Sequence, residues 1–327
     1  MMKPPRFWTT TRAPFWTFLL SWASVLYAWA TAYRLRTIKP HKVGLPVICV
    51  GNLSLAGVGK TPIVRDLAEK LSQKKVRVGI LSRGYGGRLL GPLRVIPTQH
   101  AARDVGDEPL LLATTAPTWV AKNRLVGAQA MAQKGYECIL MDDGHQNPHI
   151  HKDLSLVVID AATQFGNGQV FPVGPLREGV TAGLKRAGGI ILVGTPSADF
   201  LAEMKTHKKP IFCAEMTPDI TSLDLIQKYV AFAGIGHPEK FFESMRTKGV
   251  QIVDTRSFSD HHPYTAQDIK KLHQWAAHHQ AKLLTTEKDF CRLTKPQKKD
   301  VFWPALRVKW KGSKTPFSLV MEKIKDA

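Results

Sequence analysis

Acidic residues are scarce in this chain. Of 327 residues, 26 are Asp or Glu against 46 Lys or Arg, a net charge of +20. No acidic residue precedes Asp66. This balance implies an anionic partner: nucleic acid, anionic lipid or a phosphorylated substrate. Cysteine is also sparse. Cys49, Cys138, Cys213 and Cys291 form no C-x-x-C pair, which excludes a disulfide framework and argues for reduced, packed thiols. There is no repeat array and no low-complexity tract. Charge is missing altogether between Arg12 and Arg34.

That uncharged stretch carries Phe15, Trp16, Phe18, Trp22, Tyr27 and Trp29, with Tyr33 closing it and basic residues on both flanks. It is long enough to span a bilayer, which takes about 20 residues. Thr17, Ser21, Ser24 and Thr31, however, make a weakly polar stripe at helical spacing. Phe15, Phe18, Leu19, Trp22, Leu26, Trp29 and Tyr33 line the other face. Trp and Tyr favour the headgroup region, and basic flanks attract anionic lipid. The pattern predicts a helix lying in or dipping into a membrane leaflet, with a buried core helix as the plainer reading.

After Pro46 the pattern alternates strands and helices. Strands are expected at Val47–Val50, Val76–Leu81, Trp119–Ala121, Cys138–Met141, Leu156–Ile159 and Ile190–Val193. Helices are expected over Pro62–Leu71, after Asp107 and over Leu125–Gln133. Alternation of this kind predicts a mostly parallel sheet covered by helices. The composition turns polar near Pro218–Lys228, where a junction is expected. Beyond it the same logic repeats on a smaller scale: Tyr229–Ala233, Val250–Thr255 and Lys282–Thr285 as strands, with helices from Pro238 and Thr265. The expected division is an N-terminal helix over 1–43, a larger α/β unit over 44–220 and a smaller one over 221–327.

The strongest chemical signal is Gly51-Asn52-Leu53-Ser54-Leu55-Ala56-Gly57-Val58-Gly59-Lys60-Thr61. It follows a strand and precedes a helix, the context of a phosphate-binding loop. Gly57 and Gly59 let backbone N–H groups turn onto phosphate oxygens. Lys60 is placed to reach the β- and γ-phosphates of a nucleotide, and Thr61 to offer its hydroxyl to Mg²⁺. Ser54 stands where such loops usually begin with glycine. Asp142 and Asp143 end an apolar strand, as a Mg²⁺-binding carboxylate would. Asp107, in Gly106-Asp107-Glu108-Pro109, is read either as a helix cap or as a general base. His145, His149 and His151, and the pair His261-His262, lack zinc-site spacing. An export signal at the N-terminus would carry this nucleotide site away from ATP.

Taken in order, these motifs resemble the tetraacyldisaccharide 4′-kinase (lipid A 4′-kinase) family. The resemblance runs through Gly59-Lys60-Thr61-Pro62, Ser82-Arg83-Gly84-Tyr85-Gly86, Gly106-Asp107-Glu108-Pro109 and Lys122-Asn123-Arg124. It continues in Asp142-Asp143-Gly144-His145-Gln146, Pro172-Val173-Gly174-Pro175-Leu176-Arg177-Glu178, Asp260-His261-His262 and Thr285-Thr286-Glu287-Lys288-Asp289. Ser54, Ala56 and His145 depart from the family pattern, an apolar residue being commoner at 145. The resemblance implies a P-loop fold, ATP and Mg²⁺ as cofactors, and transfer of the γ-phosphate to the 4′-hydroxyl of a tetraacylated glucosamine disaccharide 1-phosphate. It implies phosphate binding by Ser54, Gly57, Val58, Gly59, Lys60 and Thr61. It also implies metal binding by Thr61 with Asp142 or Asp143, and Asp107 as base with His261 oriented against it. Tyr85, Glu108, Arg124, Gln146, Arg177 and Glu178 are expected around the substrate. The partner is then an anionic glycolipid at the cytoplasmic face of the inner membrane, with no nucleic acid and no obligate protein partner.

Two other functions compete. A P-loop switch or partitioning ATPase would share the loop, but it leaves the aromatic segment unexplained. A nucleic-acid binder would use the net charge, yet Lys295–Lys299 and Lys309–Lys314 form no recognisable reader motif.

Overall fold

Strand β1 (Val47–Gly51) lies at the centre of the molecule and is buried along its whole length. A computed structural model describes residues 5–8, 15–55 and 57–326. Lys3, Arg12 and Ala56, which the sequence reading used, lie outside them, as do the side chains of Arg6, Phe15, Trp16 and Leu19. Ahead of β1 comes helix α1 (Phe15–Thr37). Beyond it run α2 (Lys60–Gln73), β2 (Val78–Ser82), β3 (Leu93–Arg94), α3 (Ala102–Val105), α4 (Asp107–Leu112), β4 (Thr118–Val120), α5 (Arg124–Gln133) and β5 (Cys138–Asp142). Next are β6 (Leu154–Asp160), α6 (Val180–Lys185), β7 (Gly189–Val193), α7 (Ala198–Thr206), β8 (Ile211–Asp219), β9 (Lys228–Ala233), α8 (Pro238–Thr247) and β10 (Gln251–Ser257). The chain ends with α9 (Ala266–His278), β11 (Lys282–Thr285), α10 (Glu287–Arg292), β12 (Val301–Phe302), β13 (Ala305–Lys311) and α11 (Pro316–Lys325).

Nine strands form one sheet in the order β13-β8-β7-β6-β1-β5-β2-β4-β3. The pairs β13–β8 and β3–β4 are antiparallel, and the others are parallel. The expected parallel sheet under helices is therefore present. Parallel strands buried on both faces need continuous apolar runs, which Val47-Ile48-Cys49-Val50 and Cys138-Ile139-Leu140-Met141 supply. Burying each such aliphatic side chain contributes roughly 1.5–3 kcal/mol. Strand β1 lies between β5 and β6: the chain runs from β1 to β2 on one side and crosses from β5 to β6 on the other, so strand order reverses beside β1. That reversal opens a crevice beyond the carboxyl ends of the strands, where ligands of open α/β sheets bind.

A second sheet, β10-β9-β11-β12, is parallel throughout. The expectation of a separate unit over 221–327 is corrected here. After β12 the chain returns to the large sheet as β13, and α11 packs Phe317, Val320 and Ile324 into the large core. The basic stretch around Lys309 hides a period-two alternation. Val308 and Trp310 pack on the large core while Arg307, Lys309 and Lys311 stay in or near solvent. Trp310 Nε1 donates to Asp66 on α2 at 2.8 Å. The elements not foreseen are β3, β8, β12, β13, α3, α6, α7, α10 and α11.

In α1 part of the polar stripe faces the protein, and Ser21 is exposed. Thr17 and Ser24 are buried, and Ser24 Oγ donates to the Val170 carbonyl at 2.6 Å. Trp8 and Tyr27 pack edge-on against Phe171. Phe18, Trp22, Leu26, Trp29 and Tyr33 point outward, Phe18 at 75% exposure and Trp22 at 65%. Among the described residues no helix is long and apolar enough to cross a membrane.

Candidate active site

The loop from β1 to α2 is tied at both ends. Helix α2 begins at Lys60 itself, because Gly59 adopts φ +84°, which lets the chain turn directly from loop into helix. Lys60 Nζ lies 3.0 Å from Asn52 Oδ1 and 3.5 Å from Asp143. Thr61 follows it, buried, in the first turn. Ser54 does not stand free in the loop: it bridges to Leu176, while Leu55 N donates to Pro175 O and Arg177 N to Leu53 O. The Pro172–Glu178 motif thus runs beside the phosphate loop and braces it. Val58 is buried and anchors the loop to the large core, and Gly57 is exposed.

Asp142 and Asp143 sit side by side in opposite circumstances. Asp143 has φ +54°, uncommon outside glycine, which swings its side chain toward Arg177. Arg177 grips it through two bonds, 2.9 and 3.0 Å. Burial raises the Asp143 pKa, but the Lys60 and Arg177 charges outweigh it and hold the carboxyl below its ordinary value. Asp142 ends β5 and is buried. Burial, helped by the Glu108 and Asp143 charges, pushes its carboxyl up to about 7. Among the described residues its Oδ1 has no hydrogen-bond partner, and the Ser82 hydroxyl is 3.4 Å from Oδ2. A buried carboxylate oxygen left unsatisfied is costly unless a cation completes it. The residues present therefore fit Mg²⁺. Among the described residues no group of three or more His, Cys, Asp or Glu forms a metal cage, in keeping with an ion held largely by phosphates and water.

Asp107 opens α4. Gly106, at φ +91°, carries the chain past the Tyr85 carbonyl so closely that a β-carbon would lie 2.4 Å from that oxygen. This packs the Ser82–Gly86 turn against the loop that aims Asp107. His261 comes from the second sheet, in the turn after β10, and its Nδ1 lies 2.7 Å from Asp107 Oδ2. The His261 backbone has φ +59°, held by a bond from its N–H to Gly234 O at 3.0 Å. Burial raises the Asp107 pKa, but the His261 hydrogen bond and the Arg292 charge bring it down to about 2. Glu108 pairs with Lys288 at 2.8 Å. Its charge also acts on Lys60, Asp142 and Asp143, so the phosphate loop, the Asp142–Asp143 pair and the α4 start share one cleft.

The remaining predicted residues fall on its walls. Gln146 donates from one nitrogen to Asn52 O and to Glu178, both at 2.9 Å. Glu178 is buried and paired with Arg186 at 2.6 Å. Arg124 follows Asn123, whose side chain accepts from Leu125 N and Val126 N and caps α5. Arg124 is buried. Burial and the nearby Arg83 charge lower its pKa to about 10 against the pull of Asp143 and Asp142. Tyr85 is exposed at 59%, on the turn beside Asp107's loop.

The histidines separate by role. His41 N donates to the His149 carbonyl and His151 N to the His41 carbonyl, the His151 ring lies 3.5 Å from Asp153, and His262 lies 3.3 Å from Asp268. His145 is a buried bolt: its ring meets Ser155 Oγ at 2.7 Å and Gly183 O at 3.0 Å. Burial and the Arg186 charge lower its pKa to about 4, so it is neutral at pH 7. A folded value below the unfolded one means that stability is intact above about pH 6.5 and falls as pH drops toward 4. Over that window the loss is on the order of 3 kcal/mol. His145→Leu should be less stable at pH 7, because Ser155 and Gly183 lose a partner. Its denaturant midpoint should also fall less steeply with acid. A wild-type pH dependence in the variant would show that another group is responsible.

Sequence reasoning missed Arg292, Arg186, Asn52's contact with Lys60, and Arg65. Arg65 on α2 makes a buried 2.7 Å pair with Glu287 on α10, and it joins the two sheets. Arg65 sits at the helix spacing of a core position in α2, and an arginine there was a readable signal.

A family model described as tetraacyldisaccharide-1-P 4′-kinase matches residues 16–325. The tetraacyldisaccharide 4′-kinase of Dinoroseobacter shibae is 46% identical, over 89% of this chain and 89% of its own length. That of Hyphomonas neptunium is 43% identical over 94% of each chain. That of Parvibaculum lavamentivorans is 43% identical over 100% of this chain and 98% of its own. The structure is similar to the crystal structure of LpxK from Aquifex aeolicus in complex with ATP, with a TM-score of 0.75 and 25% identity, covering 94% of this chain and 99% of that one. With a phosphate loop, a buried carboxylate and a histidine-paired aspartate converging in one cleft, the chain belongs to the tetraacyldisaccharide 4′-kinase family, the kinases of lipid A biosynthesis.

Proposed function

We propose that this chain's 4′-kinase activity is carried by Lys60, Thr61, Asp142, Asp107 and His261, with ATP as donor and an anionic glycolipid as acceptor. The observation that carries the assignment is the 2.7 Å bond between Asp107 at the start of α4 and His261 in the turn after β10 of the second sheet. Lys60 and the loop N–H groups hold the β- and γ-phosphates and offset the charge that spreads over the transferring group. Thr61 and Asp142 are the residues that would hold Mg²⁺, since both Asp143 oxygens are engaged by Arg177; the ion supplies charge neutralisation on the phosphates. Arg177 and Arg124 add fixed positive charge behind the same pair of aspartates.

The sugar hydroxyl must lose its proton as the O–P bond forms. In a loose phosphoryl transition state that loss comes late, when the hydroxyl has become acidic. A carboxylate of low pKa can then accept the proton, and Asp107 is anionic at every physiological pH. His261 orients it. Because the two residues belong to different sheets, the constellation is complete only when the second unit is seated against the first.

The acceptor is a lipid, and α1 provides the means of reaching it. Thr17 and Ser24 are buried against the protein, while Phe18, Trp22, Leu26, Trp29 and Tyr33 face away from it. Aromatics next to Arg34, Arg36, Lys39 and Lys42 suit an anionic headgroup layer. This is a monotopic arrangement at the cytoplasmic leaflet, where ATP is available. Replacing Trp22, Leu26 and Trp29 together by alanine should abolish sedimentation with anionic vesicles and transfer of labelled γ-phosphate to vesicle-borne acceptor. Transfer to acceptor dispersed in detergent should persist. Undiminished vesicle binding by the triple variant would place the membrane contact elsewhere.

A further inference from the structure

Asp107 is held through one oxygen. His261 Nδ1 lies 2.7 Å from Oδ2, and Arg292 donates to that same atom from Nε at 2.7 Å, with Nη2 at 2.6 Å. Among the described residues none donates a hydrogen bond to Oδ1. Arg292 is itself built in, its side chain only 4% exposed. Nη1 donates to Gly234 O and to Asp289 Oδ1, each at 2.7 Å. Asp289 is wholly buried and accepts from the Tyr264 hydroxyl at 2.9 Å, Thr286 Oγ1 at 2.6 Å and Gly234 N at 3.1 Å. A continuous chain of charge-assisted bonds thus runs from the core of the small sheet, through α10, to a carboxylate on α4. Surface pairs are mobile and weak, but a fully partnered buried guanidinium has one geometry.

We propose that Arg292, anchored by Asp289, is a positioning residue for phosphate transfer, which fixes Asp107 through Oδ2 so that Oδ1 meets the acceptor hydroxyl. The inference rests on the reading of Asp107 as the base. In the step itself, the sugar oxygen forms the new O–P bond and its proton passes to Oδ1. The bond from the γ-phosphorus to the β,γ-bridging oxygen breaks, and its electrons leave on ADP. Arg292 touches neither sugar nor phosphate in this scheme; it acts through Asp107. The groups facing Asp107 are His261 before α9, Arg292 and Cys291 on α10, and its neighbour Glu108 on α4. Among them Arg292 and His261 hold the carboxyl low, so loss of the guanidinium moves its titration upward.

The test uses the full chain, ATP and detergent-dispersed glycolipid acceptor, with Arg292→Gln, Asp107→Asn and the double variant. Arg292→Gln should lower kcat about tenfold or more, leave ATP affinity unchanged, and shift the acid limb of the kcat/KM profile to higher pH. The double variant should lose little beyond Asp107→Asn, since the two act as one unit. Arg292→Lys, which keeps the charge without the planar fork, should be intermediate. If Asp107→Asn is inactive while Arg292→Gln keeps its kcat or its acid limb, the positioning role is overturned and the base survives. If Asp107→Asn keeps its kcat, the base assignment has failed. An Arg292→Gln protein that no longer binds ATP is misfolded and is replaced by Asp289→Asn, which frees Arg292 without removing it. A wild-type kcat and pH profile in that variant would also overturn the proposal.

Discussion

Lys60→Ala loses phosphate transfer by about a hundredfold or more while remaining folded. The fold does not need the lysine. Helix α2 starts at the backbone of Gly59, and Thr61, Ile63, Val64, Leu67, Ala68 and Leu71 bury its inner face regardless of residue 60. What disappears is a fixed positive charge on the transferring phosphate, between Asn52 and Asp143. A second consequence follows from the neighbouring carboxylates. Lys60 lowers the Asp142 pKa against burial, which already pushes it up to about 7. Without the lysine it rises further, so at neutral pH more of Asp142 is protonated and unable to hold a cation. The variant should therefore need more Mg²⁺, and the residual activity should rise with pH across the neutral range. The measurement is labelled γ-phosphate on disaccharide 1-phosphate lipid, with circular dichroism as the control for folding. A folded Lys60→Ala enzyme with near wild-type turnover would remove the loop from the chemistry.

Asp107→Asn and His261→Ala should each lower kcat strongly, by about 10²-fold or more, with ATP affinity nearly unchanged. Asparagine keeps the size of Asp107, whose side chain makes no cap bond in α4, so a structural role alone predicts little loss. Removal of the charge takes away the proton acceptor and leaves Arg292 with an uncompensated partner. His261→Ala leaves Asp107 ionised and still held by Arg292, but removes one of the two groups that orient Oδ2. If the two residues are one unit, the double variant loses little beyond the worse single one. Fully multiplicative losses would separate His261 from the base. An unaffected kcat in Asp107→Asn would leave that residue as the first residue of a helix and nothing more.

Much of this site was legible in the sequence for a physical reason: its parts are local. A glycine loop between an apolar strand and a helix is a contiguous signal, because the backbone turn, the N-terminal helix charge and Lys60 are set within a few residues. The same holds for Asp142 at the end of Cys138–Met141 and for Thr286 with Asp289, a cap written three residues apart. The pairing of Asp107 with His261 came from family resemblance, since 154 residues separate them and no spacing rule connects them. Arg292 was not legible: it ends a polar helix and resembles any surface arginine until its burial and its partners are known. Strand β13 was misread because its inward residues, Val308 and Trp310, are outnumbered by Arg307, Lys309 and Lys311.

By itself the sequence determined the alternation of strands and helices, the phosphate loop, the basic balance and the aromatic first helix, each a consequence of short-range pattern and composition. Tertiary structure alone decided the rest. It brought residues 305–325 back to the large sheet, where a sheet edge and an apolar core face were open to them. It turned Thr17 and Ser24 of α1 inward, where Ser24 finds the Val170 carbonyl. It also gave adjacent Asp142 and Asp143 opposite titration. Asp142 is buried and Asp143 half-buried, only Asp143 is reached by the two-pronged Arg177, and electrostatics in such a site depends on distance and direction rather than on position along the chain.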